Sequence, residues 1–109
     1  MIVEMRTYTL VAGKTAEFLK IYQSEGMAIQ LPILGTMVGY YSSEIGPLNQ
    51  IVHMWGYKDL EDRRKRRAKL AAHKGWPNVI AKVRPLILTQ ESKILIPAPF
   101  FDPMKAKTA

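Results

Sequence analysis

Six residues of this 109-residue chain could do chemistry together: Glu4, Arg6 and Tyr8 near the start, and His53, Trp55 and Tyr57 midway. Within each trio the spacing is two. An extended chain points alternate side chains to opposite faces, so each trio shares one face of a strand. An imidazole that titrates near neutrality suits proton transfer, and His53 is the candidate acceptor. Arg6 is a fixed cation that can hold an anionic group or steady a developing oxyanion. The plainer readings are a packed, hydrogen-bonded histidine and a structural salt bridge. We read a ligand pocket lined by His53, Trp55 and Tyr57 ahead of catalysis by His53. Tyr8 and Tyr40 join the set as interior rings whose hydroxyls need partners.

Much chemistry is excluded. The chain has no cysteine, so disulfides, thiolate nucleophiles and iron–sulfur clusters are out. Its two histidines, His53 and His73, fall on a strand and at a helix end without convergent carboxylates, so neither a metal nor a cofactor is expected. No nucleophile elbow supports a Ser–His–Asp triad. Gly13-Lys14-Thr15 mimics the end of a phosphate loop, but the earlier glycine is missing because Tyr8 stands there. No apolar run approaches the roughly 20 residues that cross a bilayer, so no membrane partner is expected.

The formal charge of +7 invites an anionic partner, yet it is concentrated between Lys58 and Lys74. This segment reads as a helix capped by Asp59, with Asp59–Arg63, Glu61–Lys65 and Asp62–Arg66 as acid-before-base pairs four apart. Arg63-Arg64-Lys65-Arg66-Arg67 resembles a nucleic-acid patch, but five successive helical residues point in all directions. A solvated helix is the preferred reading, and no nucleic-acid partner is expected. Leu60, Arg64, Arg67, Ala68 and Ala71 would form its inner face. Arg64 and Arg67 would then reach the sheet and require a carboxylate or a bound anion. They complete a candidate ligand-binding set of Arg6, Tyr8, Tyr40, His53, Trp55, Tyr57, Arg64 and Arg67.

The elements that must position these residues follow from periodicity and punctuation. Strands are predicted over 2–10, 36–45, 49–57 and 86–96, with Gly46-Pro47-Leu48 turning between the middle two. Helices are predicted from Thr15 to before Gly35, bent at Gly26 and Pro32, then over 59–74, and from Pro77 to Val83. The β-α-β-β-α-β order is that of a ferredoxin-like α+β fold, a four-stranded antiparallel sheet with helices on one face. One domain over 1–97 and an irregular tail over 98–109 are expected, with Phe100 and Phe101 free to dock. The bland residues Val3, Met5, Val52 and Met54 are assigned beneath the helices. The trios then occupy the open face, where two sheets would meet in a barrel-like homodimer.

Several separate blocks, in order, resemble the NIPSNAP family: Met5-Arg6-Thr7-Tyr8-Thr9-Leu10 with Gly13, Leu34-Gly35, Gly39-Tyr40, Glu44-Ile45-Gly46 with Asn49, and His53-Met54-Trp55-Gly56-Tyr57. Asp59-Leu60-Glu61-Asp62-Arg63 and Leu95-Ile96-Pro97 fit as well. The resemblance implies a dimeric α/β barrel, an architecture shared with cofactor-free monooxygenases, heme-degrading proteins and small aromatic-acid enzymes. It implies no particular reaction, since the family has no settled biochemical activity. Its animal members are mitochondrial and tied to vesicle traffic and mitophagy. The first strand starts at the initiator methionine, so a cytoplasmic, bacterial-type protein is expected instead. Three functions follow: a binder of a small aromatic or anionic molecule, a cofactor-free oxygenase or isomerase using His53 and Arg6, or a binding module acting through the basic helix.

Overall fold

A computed structural model describes residues 1–105. Its elements are β1 Ile2–Leu10, α1 Thr15–Ile21, a π-helical turn Tyr22–Gly26, α2 Met27–Leu34, β2 Thr36–Ser42, β3 Gln50–Tyr57, α3 Leu60–Ala72, α4 Trp76–Val83, a 3₁₀ turn Arg84–Leu86 and β4 Ile87–Leu95. All pairings are antiparallel, in the order β2-β3-β1-β4. That is the ferredoxin-like α+β arrangement expected from the element order.

Local chemistry sets the joints. Gly26 lies where α1 and α2 meet α4: a Cβ there would come within 2.9 Å of Tyr22 and 3.2 Å of Val79. Gly35 ends α2 in the left-handed region, at φ 90. The Arg66 guanidinium lies beside it and donates to the Ile33 carbonyl at 3.1 Å, tying α3 to the end of α2. At the start of α3 the Asp59 carboxylate accepts from the Asp62 N–H at 2.8 Å, the predicted cap. Asn49, at φ 59, accepts from the Gly13 N–H through its side chain and from the Leu10 N–H through its carbonyl. The β2–β3 loop therefore pins the β1–α1 turn.

The two faces of the sheet are the reverse of the expectation. Glu4, Arg6, Tyr8, His53, Trp55 and Tyr57 lie beneath the helices; Trp55 and Glu4 are fully buried and His53 is 2% exposed. Leu34 and Leu70 pack with Trp55 and Tyr57, while Phe18, Tyr22 and Val83 pack at the Tyr8 end. Glu4, Arg6 and Tyr8 are tolerated inside because they answer one another and Arg63 of α3, and Trp55 bonds His53; among the described residues the Tyr57 hydroxyl is buried without a hydrogen-bond partner. A β-bulge between Met37 and Gly39 shifts the alternation of β2, so that both Met37 and Tyr40 face the helices.

Met5, Val38, Val52 and Met54 instead belong to the open face, half-buried, with Val3 buried among them. Val3, Val38, Tyr41, Met54, Leu95 and Phe101 border an apolar hollow of about 410 Å³ there. The tail from Pro97 has no regular structure, and it brings Phe101 and Pro103 onto this face. Phe100 remains exposed. The last four residues of the predicted tail, 106–109, lie outside the described residues. Among the described residues no helix is long and apolar enough to cross a membrane.

Candidate functional site

Two polar centres lie side by side under the helices. The first is built on Glu4. Its carboxylate accepts from Arg63 at 3.0 and 2.9 Å, from Arg6 at 3.1 Å and from the Ser92 hydroxyl at 2.6 Å. Burial alone would raise its pKa. Hydrogen bonds from Arg63 and Ser92, with the charges of Arg6 and Arg63, prevail and hold the carboxyl at about 2, against an ordinary 4.5. Arg6 also donates from Nε to the Tyr8 hydroxyl at 3.1 Å and lies against that ring. The partner from α3 is thus Arg63, which the sequence pattern assigns to Asp59.

The second centre is His53. It lies directly opposite Arg6 on β1 and Tyr40 on β2. The Tyr22, Tyr40 and His53 rings stack in a column, with centroids 4.6 and 4.8 Å apart. Tyr8 meets the imidazole edge-on at 4.9 Å. The Trp55 indole, a donor only, gives its N–H to His53 Nδ1 at 2.7 Å. Nδ1 therefore carries the lone pair, and in the neutral ring the proton sits on Nε2. Burial first, then the Arg6 charge, push the imidazole down from an ordinary 6.5 to about 3; Glu4 opposes this and Arg67 adds to it. At neutral pH His53 is an uncharged donor. It is poorly disposed to accept a proton, because its one accepting nitrogen is already bonded to Trp55.

Among the described residues Nε2 of His53 is buried without a hydrogen-bond partner, as are the Gln30 Oε1 and Tyr22 hydroxyl oxygens. All three residues border one small chamber of about 50 Å³. Tyr8, Gln30, Trp76, Ile80 and Gln90 are walls that this chamber shares with a larger cleft of about 530 Å³. The cleft runs between α3, α4 and the β1–β4 half of the sheet. Arg6 is in its floor, Arg67 comes from α3, and Arg84 follows α4. Among the described residues its lining contains no carboxylate. Among the described residues Arg67 has no ion pair and no side-chain hydrogen bond, so its charge faces the cleft unanswered.

The predicted residues divide accordingly. Arg6, Tyr8 and Arg67 line the cleft, and Tyr8, Tyr40 and His53 line the chamber. Trp55 and Tyr57 do not line either; they are core residues behind His53. Arg64 is also elsewhere, exposed and paired with Glu61 three residues earlier at the helix surface. Arg63, Arg66, Arg67 and Leu70 turn inward instead, because the stripe closes on Leu70 rather than on Leu60, which is 60% exposed. Gln30, Trp76, Arg84 and Gln90 are additional lining residues. Gln30 had a signal: it is the one polar side chain in Met27–Leu34. Arg84 and Gln90 had none, since they acquire meaning only where β4 passes beneath α4.

A family model described as NIPSNAP matches residues 3–102. A NIPSNAP family protein of unknown function from Agrobacterium tumefaciens superposes with a TM-score of 0.92 at 46% identity, over 95% of this chain and 94% of that one. The NipSnap homolog of Dictyostelium discoideum is 38% identical over 94 residues, 86% of this chain and 41% of its own length. The chain thus spans well under half of that longer relative. At 10% identity and a TM-score of 0.64, a structure of an antibiotic biosynthesis monooxygenase shares the fold, covering 91% of this chain and all of the other.

Proposed function

We propose that this chain, which belongs to the NIPSNAP family, is a cytoplasmic homodimer that binds a small, planar anion in the cleft between α3, α4 and the sheet. The single observation carrying this reading is Arg67, a guanidinium in a walled cleft with no carboxylate among the described residues to answer it. A cation kept there without a partner is stabilised when an anion arrives, and a bidentate guanidinium–carboxylate pair is among the stronger polar contacts available. Trp76 and Tyr8 give the cleft flat apolar walls that favour a ring. Nucleic acid is not part of this reading: Arg64 and Arg66 are matched by Glu61 and Asp62, and Arg63 by Glu4.

The proposed homodimer rests on the open face. A sheet surface bearing Val3, Val38, Met54 and Leu95 is protected from water best by a second copy of itself. Light scattering after size exclusion should give twice the chain mass, and Met54→Lys should shift it towards the monomer. A monodisperse wild-type monomer would end the dimer proposal.

The cleft is tested by titrating cinnamate and benzoate into the wild-type protein and Arg67→Ala. Saturable binding by the wild type, weakened about 10- to 100-fold in the variant, is the expected result. Equal binding by both proteins would remove Arg67 from the site.

A further inference from the structure

We infer that the molecule held in this cleft is an aromatic carboxylate bearing a hydroxyl on the ring end remote from the carboxylate. The carboxylate would face Arg67 and Arg84, and the hydroxyl would enter the chamber between His53 Nε2 and Gln30 Oε1. The inference rests on the anion-binding reading above and adds what lies at the other end.

The chamber itself supplies the reasons. It is lined by His53, Gln30 and Tyr22, each of which carries a buried polar atom without a partner among the described residues. Buried polar groups in folded proteins are nearly always paired, so three at one small space mark a place that a guest or water completes. The Trp55 indole fixes the His53 tautomer, which makes Nε2 a donor. The Gln30 oxygen is an acceptor only. A group that satisfies both must accept and donate, and a hydroxyl does this at a single oxygen. A ketone would leave Gln30 unpaired, and an ammonium would leave His53 unpaired. A carboxylate would set its charge against the Gln30 oxygen.

Size and surroundings agree. About 50 Å³ suits the tip of a molecule whose body occupies the adjoining 530 Å³. The walls between the two spaces are Tyr8, Trp76 and Ile80, which favour a flat apolar ring between the polar ends. Anion at the mouth, ring in the middle and hydroxyl at the tip together describe a phenolic carboxylate.

The test titrates 4-hydroxycinnamate, 4-methoxycinnamate and cinnamate into the wild type, Gln30→Leu and Arg67→Ala. Wild type should bind 4-hydroxycinnamate about 10- to 100-fold more tightly than cinnamate, with 4-methoxycinnamate no better than cinnamate. Gln30→Leu should reduce that preference to within about 3-fold. Gln30→Met is a second variant that keeps side-chain length if leucine disturbs α2, and circular dichroism checks both. Equal wild-type affinity for 4-hydroxycinnamate and cinnamate, both weakened by Arg67→Ala, would overturn the hydroxyl assignment and leave the anion site standing. No binding of any of the three to wild type would overturn both.

Discussion

Glu4 and His53 are buried equally well on the same face of the same sheet, yet one is finished and the other is not. Glu4 receives every hydrogen bond its carboxylate needs, from two arginines and a serine. His53 receives one, from Trp55, and its second nitrogen has no partner among the described residues, in a side chain that lines the chamber. The difference separates scaffold from site. A saturated buried charge fixes the position of α3 over β1. An unsaturated buried donor beside a cleft is poised for something outside the chain.

That contrast can be broken first at Glu4. Glu4→Ala leaves Arg6 and Arg63 without their carboxylate and should cost about 3–5 kcal/mol of stability. Thermal unfolding should then fall by about 10 °C or more. A loss below about 1 kcal/mol would show that the network is dispensable. Arg67→Ala should behave oppositely, with stability within about 0.5 kcal/mol of wild type and the loss of binding described above. A strongly destabilised Arg67→Ala would make Arg67 scaffold too.

The two centres also separate by pH. His53 is held neutral in the fold at about 3 and titrates at 6.5 when unfolded. Between these values the unfolded chain binds the extra proton, so the stability held above pH 6.5 is lost as pH falls through this window. From pH 6.5 to 5 the loss should be about 2 kcal/mol. Glu4, at about 2 against 4.5, acts only below about pH 4.5, again losing stability as pH falls. Urea midpoints at pH 7 and pH 5 should therefore diverge in wild type and converge in His53→Gln. A wild-type midpoint indifferent to pH over this range would contradict the burial of the ring. The smallest effect belongs to Arg64→Ala, whose exposed pair with Glu61 adds little to stability and whose loss should leave cinnamate binding untouched.

The elements were legible in the sequence because period two and helix punctuation are local. Ile2–Leu10 is recovered without error, and the remaining strand ends differ by at most three residues. The trios were correctly grouped on one face, but which face was not legible. Polar tips such as Glu4, Arg6 and His53 read as the open face, where two sheets would meet, until Arg63, 59 residues away from Glu4, is brought to meet them beneath the helices. The helix stripe went wrong by a fraction of a turn for a related reason: Leu60 and Leu70 cannot both lead it, and only packing against α2 and Trp55 selects Leu70. Tyr40 faces inward because of a bulge at Met37–Gly39 that no alternation pattern announces. Arg67 was found from its helix position, whereas Arg84 and Gln90 depend on a long-range strand placement.

The central claim is that the unfinished centre, not the finished one, is where a molecule binds. A crystal structure of the protein soaked with 4-hydroxycinnamate tests it most directly. The account predicts the carboxylate between Arg67 and Arg84, the ring beside Trp76, and the hydroxyl within hydrogen-bond distance of His53 Nε2 and Gln30 Oε1. A molecule bound instead on the open sheet face, or a cleft left empty at saturating concentration, would contradict it.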